Sequence, residues 1–249
     1  MATLATLASA ALMLVIGLAP GQAMASGSAD QTVVTRVTNP DGSVTETIYT
    51  PAPGVTPTQL AALLKGRGVV AKVEKEAAAA AVAPCGYGTA NAWASDTTCF
   101  VRWAYAGAVR PVIDFVDYSG ASWPVGRAVT RWNQVSGIDS IYRPSSSGCD
   151  GTPAHCVTVR SGNYGAGWLG QTTRTYNAAH TYYASAAVQL NDYYSGTETE
   201  KWSTACHELG HVLGLDHNDS TGSCLYWQRV SGRSKYPNAD DESLLELYY

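Results

Sequence analysis

The spacing of hydrophobic and polar positions changes several times along this chain, and each change marks an element. In "QTVVTRVTNPDGSVTETIYT" (31–50), Val, Thr and Ile alternate on both sides of Asn-Pro-Asp-Gly, which predicts a β-hairpin turning at that tetrapeptide. "TPTQLAALLKGRG" (56–68) shifts to helical spacing between a Thr cap and a Gly stop. "KVEKEAAAAAVAP" (72–84), charged and then alanine-rich, reads as a linker. Farther on, "RPVIDFVD" (110–117) alternates as a strand should. "WPVGRAVTRWNQVSG" (123–137) puts Val125, Ala128, Val129, Trp132 and Val135 on one helical face, with Trp123 as a staple and Gly137 as a stop. "IDSIYRPS" (138–145), "HCVTVRSG" (155–162) and "ASAAVQLND" (184–192) are strand candidates, and a long helix is expected from about Thr199 to Leu213. "NADDESLLELYY" (238–249) begins with an Asn cap and first-turn acids, and its Leu244, Leu245 and Tyr248 follow at helical spacing. Strands gather early and helices bracket them, so the predicted class is α+β.

Composition divides the chain. Residues 4–18 are apolar and small and precede Pro20 and "AMA" (23–25), the form of a signal-peptidase site, so residues 1–25 read as a signal peptide and the protein as secreted. A basic n-region is missing, since the first positive charge is Arg36, but the run is short for a bilayer core that needs about 20 apolar residues. Residues 26–84 lack Cys, Trp and His altogether and form a separate segment, read as a pro-segment or N-terminal extension. Residues 85–249 suffice for one domain burying ~70 % of its unfolded surface.

Six cysteines, Cys85, Cys99, Cys149, Cys156, Cys206 and Cys224, all follow the signal and include no CxxC pair, so disulfides are expected over a zinc ribbon. Sequence alone leaves the connectivity open; pairing neighbours (85 with 99, 149 with 156, 206 with 224) closes short loops without crossing. The net charge of −4, with no basic run, argues against nucleic acid or anionic membrane as partners. No stable membrane association is expected after signal cleavage, and the expected form is a monomer.

The chemistry concentrates in "CHELGHVLGLDH" (206–217). Residues four apart on an α-helix face the same way, about 6 Å apart along the axis, so His207 and His211 can chelate one ion. Glu208 can reach a water on that ion without ligating it. Gly214, where the helix should end, can adopt the left-handed conformation that turns the chain back and returns His217 as third ligand. The fourth position then stays open, as in a catalytic rather than a structural zinc site. Chance should match these five positions in fewer than about one chain in ten thousand, so the string outweighs a plain charged helix. His155 and His180, outside it, read as surface or satisfied histidines; Asp216 is an alternative oxygen ligand if the turn is one residue tighter, and Asp216 or Asp219 is placed to hydrogen-bond a ligand imidazole.

HExxHxxGxxH, here His207, Glu208, His211, Gly214 and His217, resembles the zinc site of the metzincin metallopeptidases, and "RPVIDFVD", "AVTRWNQVSGIDSIYR", "AAVQLND" and the C-terminal "YPNADDESLLELYY" resemble the matrixin-like branch. The resemblance implies a zincin fold: a twisted mixed sheet above an active-site helix, a small C-terminal subdomain, and a substrate cleft between them, with "AAVQLND" as edge strand. It implies a zinc metalloendopeptidase holding one catalytic Zn2+ on His207, His211 and His217, with Glu208 as general base and a peptide or protein as substrate. Structural Ca2+ is compatible with this but not legible. The methionine turn beneath the zinc is matched by "GSCLYWQ" (222–228), with Leu225 at the methionine position and Tyr226 as a wall residue. "PCGYG" around Cys85 is similar to the family's propeptide cysteine switch but lacks its arginine, so that reading competes with a Cys85–Cys99 disulfide. Substrate is expected to add as a strand to "AVQLND", with "GAGWLGQT" (165–172) as the opposite lip. The alternative function is a catalytically silent zinc-binding adhesin or inhibitor on the same scaffold.

Overall fold

A computed structural model describes residues 31–75, 85–151 and 154–249. The expected signal peptide and most of the expected linker lie outside these residues. In chain order the elements are β1 (Gln31–Thr38), β2 (Val44–Pro51), α1 (Pro57–Gly66), β3 (Lys72–Lys75), β4 (Gly86–Tyr87), β5 (Ala90–Ala92), β6 (Val112–Tyr118), α2 (Val125–Trp132), β7 (Asp139–Pro144), β8 (Ala154–Gly162), β9 (Trp168–Tyr176), β10 (Tyr183–Asn191), α3 (Glu198–Val212), β11 (Leu215–Asn218) and α4 (Ala239–Tyr248). The class is α+β, as expected, with a mixed sheet above α3.

Among the described residues the main sheet runs β3-β1-β2-β9-β10-β8-β6-β7. β7, β6, β8 and β10 are mutually parallel, and β9 reverses direction. β2 then pairs antiparallel with β9 from Val44↔Tyr176 to Pro51↔Trp168, so the N-terminal hairpin extends the same sheet. This corrects one expectation: "AAVQLND" is not an edge strand but β10, internal between β8 and β9. The outer strand of the C-terminal portion is β9, which takes in most of the expected lip "GAGWLGQT", and β2 covers its outer side.

α1 begins at Thr56, whose hydroxyl accepts from the Gln59 amide while the Gln59 side chain accepts from the Thr56 amide, and Pro57 opens the first turn. Its Leu60 and Leu64 pack with Val33, Tyr49 and Trp168, each leucine contributing roughly 1.5–3 kcal/mol by burial. α2 buries Val125, Ala128, Val129 and Trp132 as predicted. It ends at Trp132 rather than near Gly137, because the Asn133 side chain turns away to accept from the Ser140 amide at the start of β7 (2.9 Å). Gly137 instead lets the C-terminus approach, since a Cβ there would lie 2.9 Å from that of Tyr249.

α3 is capped by Thr197 and Glu200 and held to α2 by the Trp132 indole, which donates to the Cys206 carbonyl (3.0 Å). The small C-terminal subdomain follows. Its α4 starts at Asn238, and buried Asp241 accepts from Asn218 (2.7 Å) and Ser223 (2.5 Å), fixing that helix to the chain beyond His217. Disulfides join Cys85–Cys99, Cys149–Cys156 and Cys206–Cys224. Cys85 is therefore committed to Cys99, which overturns the cysteine-switch reading. No helix among the described residues is long and apolar enough to cross a membrane.

Candidate metal centre

α3 presents His207 and His211 one turn apart, both fully buried, and β11 brings back His217. One ligand atom from each of the three lies within 4.8 Å of the others. The return depends on Gly214, whose φ of +103° is in the region that favours glycine. A Cβ there would also lie 2.8 Å from both the Phe100 ring and the Val101 carbonyl.

Second partners orient the rings. Nδ1 of His207 lies 2.9 Å from the Cys224 carbonyl, and Nδ1 of His211 lies 2.9 Å from that of Leu215. A carbonyl only accepts, so each Nδ1 carries the proton and donates, leaving the Nε2 lone pair for an ion. Those two Nε2 atoms are 3.0 Å apart. Two nitrogens bound at ~2.0–2.1 Å to a tetrahedral zinc would stand roughly 3.3 Å apart, so the pair needs little adjustment. Burial, reinforced by neighbouring positive charge, holds both imidazoles well below the usual histidine pKa. They are therefore neutral, the form that ligates. A donor set of three buried imidazoles fits Zn2+, filling three of its four usual positions.

Glu208 is also fully buried. Its Oε1 accepts from the Thr50 hydroxyl (2.6 Å) and its Oε2 from the Thr172 hydroxyl (2.8 Å). Burial pushes this carboxyl up to about 7, against the opposing pull of those two hydrogen bonds. Gly170 on β9 makes room for it, since a Cβ at 170 would lie 2.7 Å from the Glu208 carboxyl carbon. The hairpin reaches the ligands too: the Thr32 hydroxyl is 3.3 Å from Nδ1 of His217. Asp216 accepts from the His217 amide (2.7 Å).

Beneath the cluster, Leu225 is fully buried against Gly210, which sits between the two helix ligands. A Cβ at Gly210 would approach Leu225 to 2.7 Å and Trp132 to 2.9 Å, so this glycine sets the distance between α3 and the turn. The Cys206–Cys224 bridge joins the same two pieces, one residue before His207 and one before Leu225. The Tyr226 carbonyl accepts from Arg233 (3.2 Å). His155 lies against the Ala104 carbonyl (2.7 Å) and His180 against Asp96 (2.6 Å), both apart from the cluster.

Sequence reasoning had not singled out Thr32, Thr50, Gly170, Thr172 or Arg174 as site residues. Gly170 alone carried a signal, because a glycine inside a strand pattern often marks a close approach.

No curated protein matches the chain. Among solved structures it is similar to metalloproteinase-II from Bacteroides fragilis, at 13% identity and a TM-score of 0.33 over 87% of this chain and 76% of that one. That likeness is too distant to bear on the site. Residues 124–249, which include α3 and the whole histidine string, match the family model of the matrixins. The convergence of three histidines on the expected spacing agrees with that match, and the chain belongs to the matrixin family of metallopeptidases.

Proposed function

We propose that this chain is a secreted zinc-dependent endopeptidase in which His207, His211 and His217 hold the ion, Glu208 is the general base, and residues 26–84 are a pro-segment removed in maturation. The observation that carries this reading is the meeting, in one buried site, of three imidazoles and the carboxylate next to the first of them. Zinc, when bound there, supplies a Lewis acid for the scissile carbonyl and acidifies water. Glu208 accepts the proton of the attacking water and then delivers it to the leaving amine. Thr172 orients that carboxylate through Oε2, and Gly170 keeps the strand clear of it. Leu225, close to methionine in volume, packs below the ligands, and Tyr226 forms part of the wall. Residues 1–25 act as the export signal.

Substrate adds to β9, not to β10, whose two sides are already taken. An extended peptide there gains main-chain hydrogen bonds with little demand on its sequence. β2 takes up that edge, and its Thr50 engages the Glu208 oxygen, which supports reading the N-terminal segment as a cover.

The test uses Glu208→Ala. Elemental analysis should find zinc still bound, while hydrolysis of a quenched peptide library falls 10²- to 10⁴-fold. Near-normal turnover in that variant would remove Glu208 from the mechanism, and a wild-type protein that binds no metal after loading would refute the zinc site. Mass spectrometry of the secreted protein checks maturation; an N-terminus near Ser26 would exclude removal of the segment.

A further inference from the structure

On β9, Gly170, Thr172 and Arg174 share the face toward α3, as alternate residues of a strand do. Gly170 borders Glu208, Thr172 bonds it, and Arg174 donates through Nη1 to the His211 carbonyl (2.8 Å) and the Tyr183 hydroxyl (3.0 Å). Arg174 is fully buried, with its guanidinium carbon 4.2 Å from the Trp93 ring centre. All of these contacts come from residues 85–249, so they fix the side chain independently of the N-terminal segment.

The other edge of the guanidinium faces β2. Nη2 donates to Oε2 of Glu46 (2.9 Å), the residue directly paired with Arg174 in the ladder. Nε is buried and has no hydrogen-bond partner among the described residues. Oε1 of Glu46 is turned instead to Arg36. The Nε/Nη2 edge, which suits a bidentate carboxylate, is therefore only half used by the segment now lying on it. A buried guanidinium stripped of its counter-charge is costly, so any chain that replaces β2 on β9 gains by bringing an acid to this point.

We propose that Arg174 determines specificity in the cleft by reading an Asp or Glu of the substrate, the role that Glu46 fills for the covering segment. This rests on the endopeptidase reading above. Glu46 lies four residues before Thr50, whose hydroxyl marks the position of Glu208, a distance of about 13 Å along a strand. A peptide running as β2 does therefore carries its acid at the fourth or fifth residue on the N-terminal side of the cleaved bond.

The secreted enzyme, purified with its natural N-terminus, is given paired peptides that differ only by Glu or Gln at that position. The Glu peptide should be cleaved with a kcat/KM about tenfold higher or more, a margin that shrinks as salt rises. In Arg174→Gln the ratio of the two kcat/KM values should fall toward one, whatever the variant's overall rate. Arg174→Lys, which keeps the charge but not the two-pronged edge, should retain part of it. Equal cleavage of the two peptides by the wild type overturns the inference without using any variant and leaves the endopeptidase reading intact. A Glu preference that survives Arg174→Gln overturns it as well. If zinc-loaded protein cleaves no peptide at all, the endopeptidase reading fails and this inference fails with it.

Discussion

Residues 31–75 and 85–249 share one sheet but are held together by different means. All three disulfides fall within 85–249: one joins the chain on either side of β4 and β5, one ties the connection after β7 to β8, and one ties α3 to the turn at Leu225. The N-terminal segment has no cysteine and joins that cross-linked unit through the β2–β9 ladder, the buried Glu46–Arg174 pair and the threonine hydroxyls at Glu208 and His217. A small apolar core around Leu60 also takes in Trp168 of β9, so the seam is apolar as well as polar. No disulfide crosses that seam, so the two regions can separate without breaking one.

The sharpest test of this contrast is Glu46→Gln in the full-length chain. It removes the acid paired with buried Arg174 and should weaken docking by about 3–5 kcal/mol. Limited proteolysis should then cut residues 31–75 faster while 85–249 stays resistant; unchanged protection would mean that the ladder alone holds the segment. The converse variant, Cys206→Ser with Cys224→Ser, opens a loop of 18 residues and should cost the cross-linked unit about 3 kcal/mol, read as a lower denaturant midpoint. Zinc affinity should fall with it, because the Cys224 carbonyl orients His207. Thr50→Val is the mildest. It deletes one hydrogen bond to a carboxylate, worth roughly 1.5–3 kcal/mol, and should raise the basal peptidase activity of the unprocessed chain about tenfold.

The histidine string was legible because its spacing is local: two ligands on one helical face, a glycine turn, and a third ligand three residues later. The hairpin and the capped helices were legible for the same reason. β9 was not read as the outer strand, because Thr172 and Arg174, polar residues turned inward to serve the site, hide the apolar alternation that marks a buried face. β10 misled in the opposite way. The resemblance made it the edge strand, yet β8 pairs with one side and β9, the strand just before it, with the other. The contacts of Thr32 and Thr50 span 185 and 158 positions, and a hydroxyl in a Thr-rich strand says nothing about which distant carboxylate or imidazole it will meet.

Gly170 has a consequence for how fast a proton can move. A bare peptide pressed against the Glu208 side chain leaves that carboxylate a slot instead of a bowl, bounded by the strand on one flank and by its own helix on the other. A carboxylate confined in this way spends little time in other rotamers, so its alignment is built in advance. Widening the slot would free the side chain to wander, and a methyl group added at position 170 would leave it nowhere to stand.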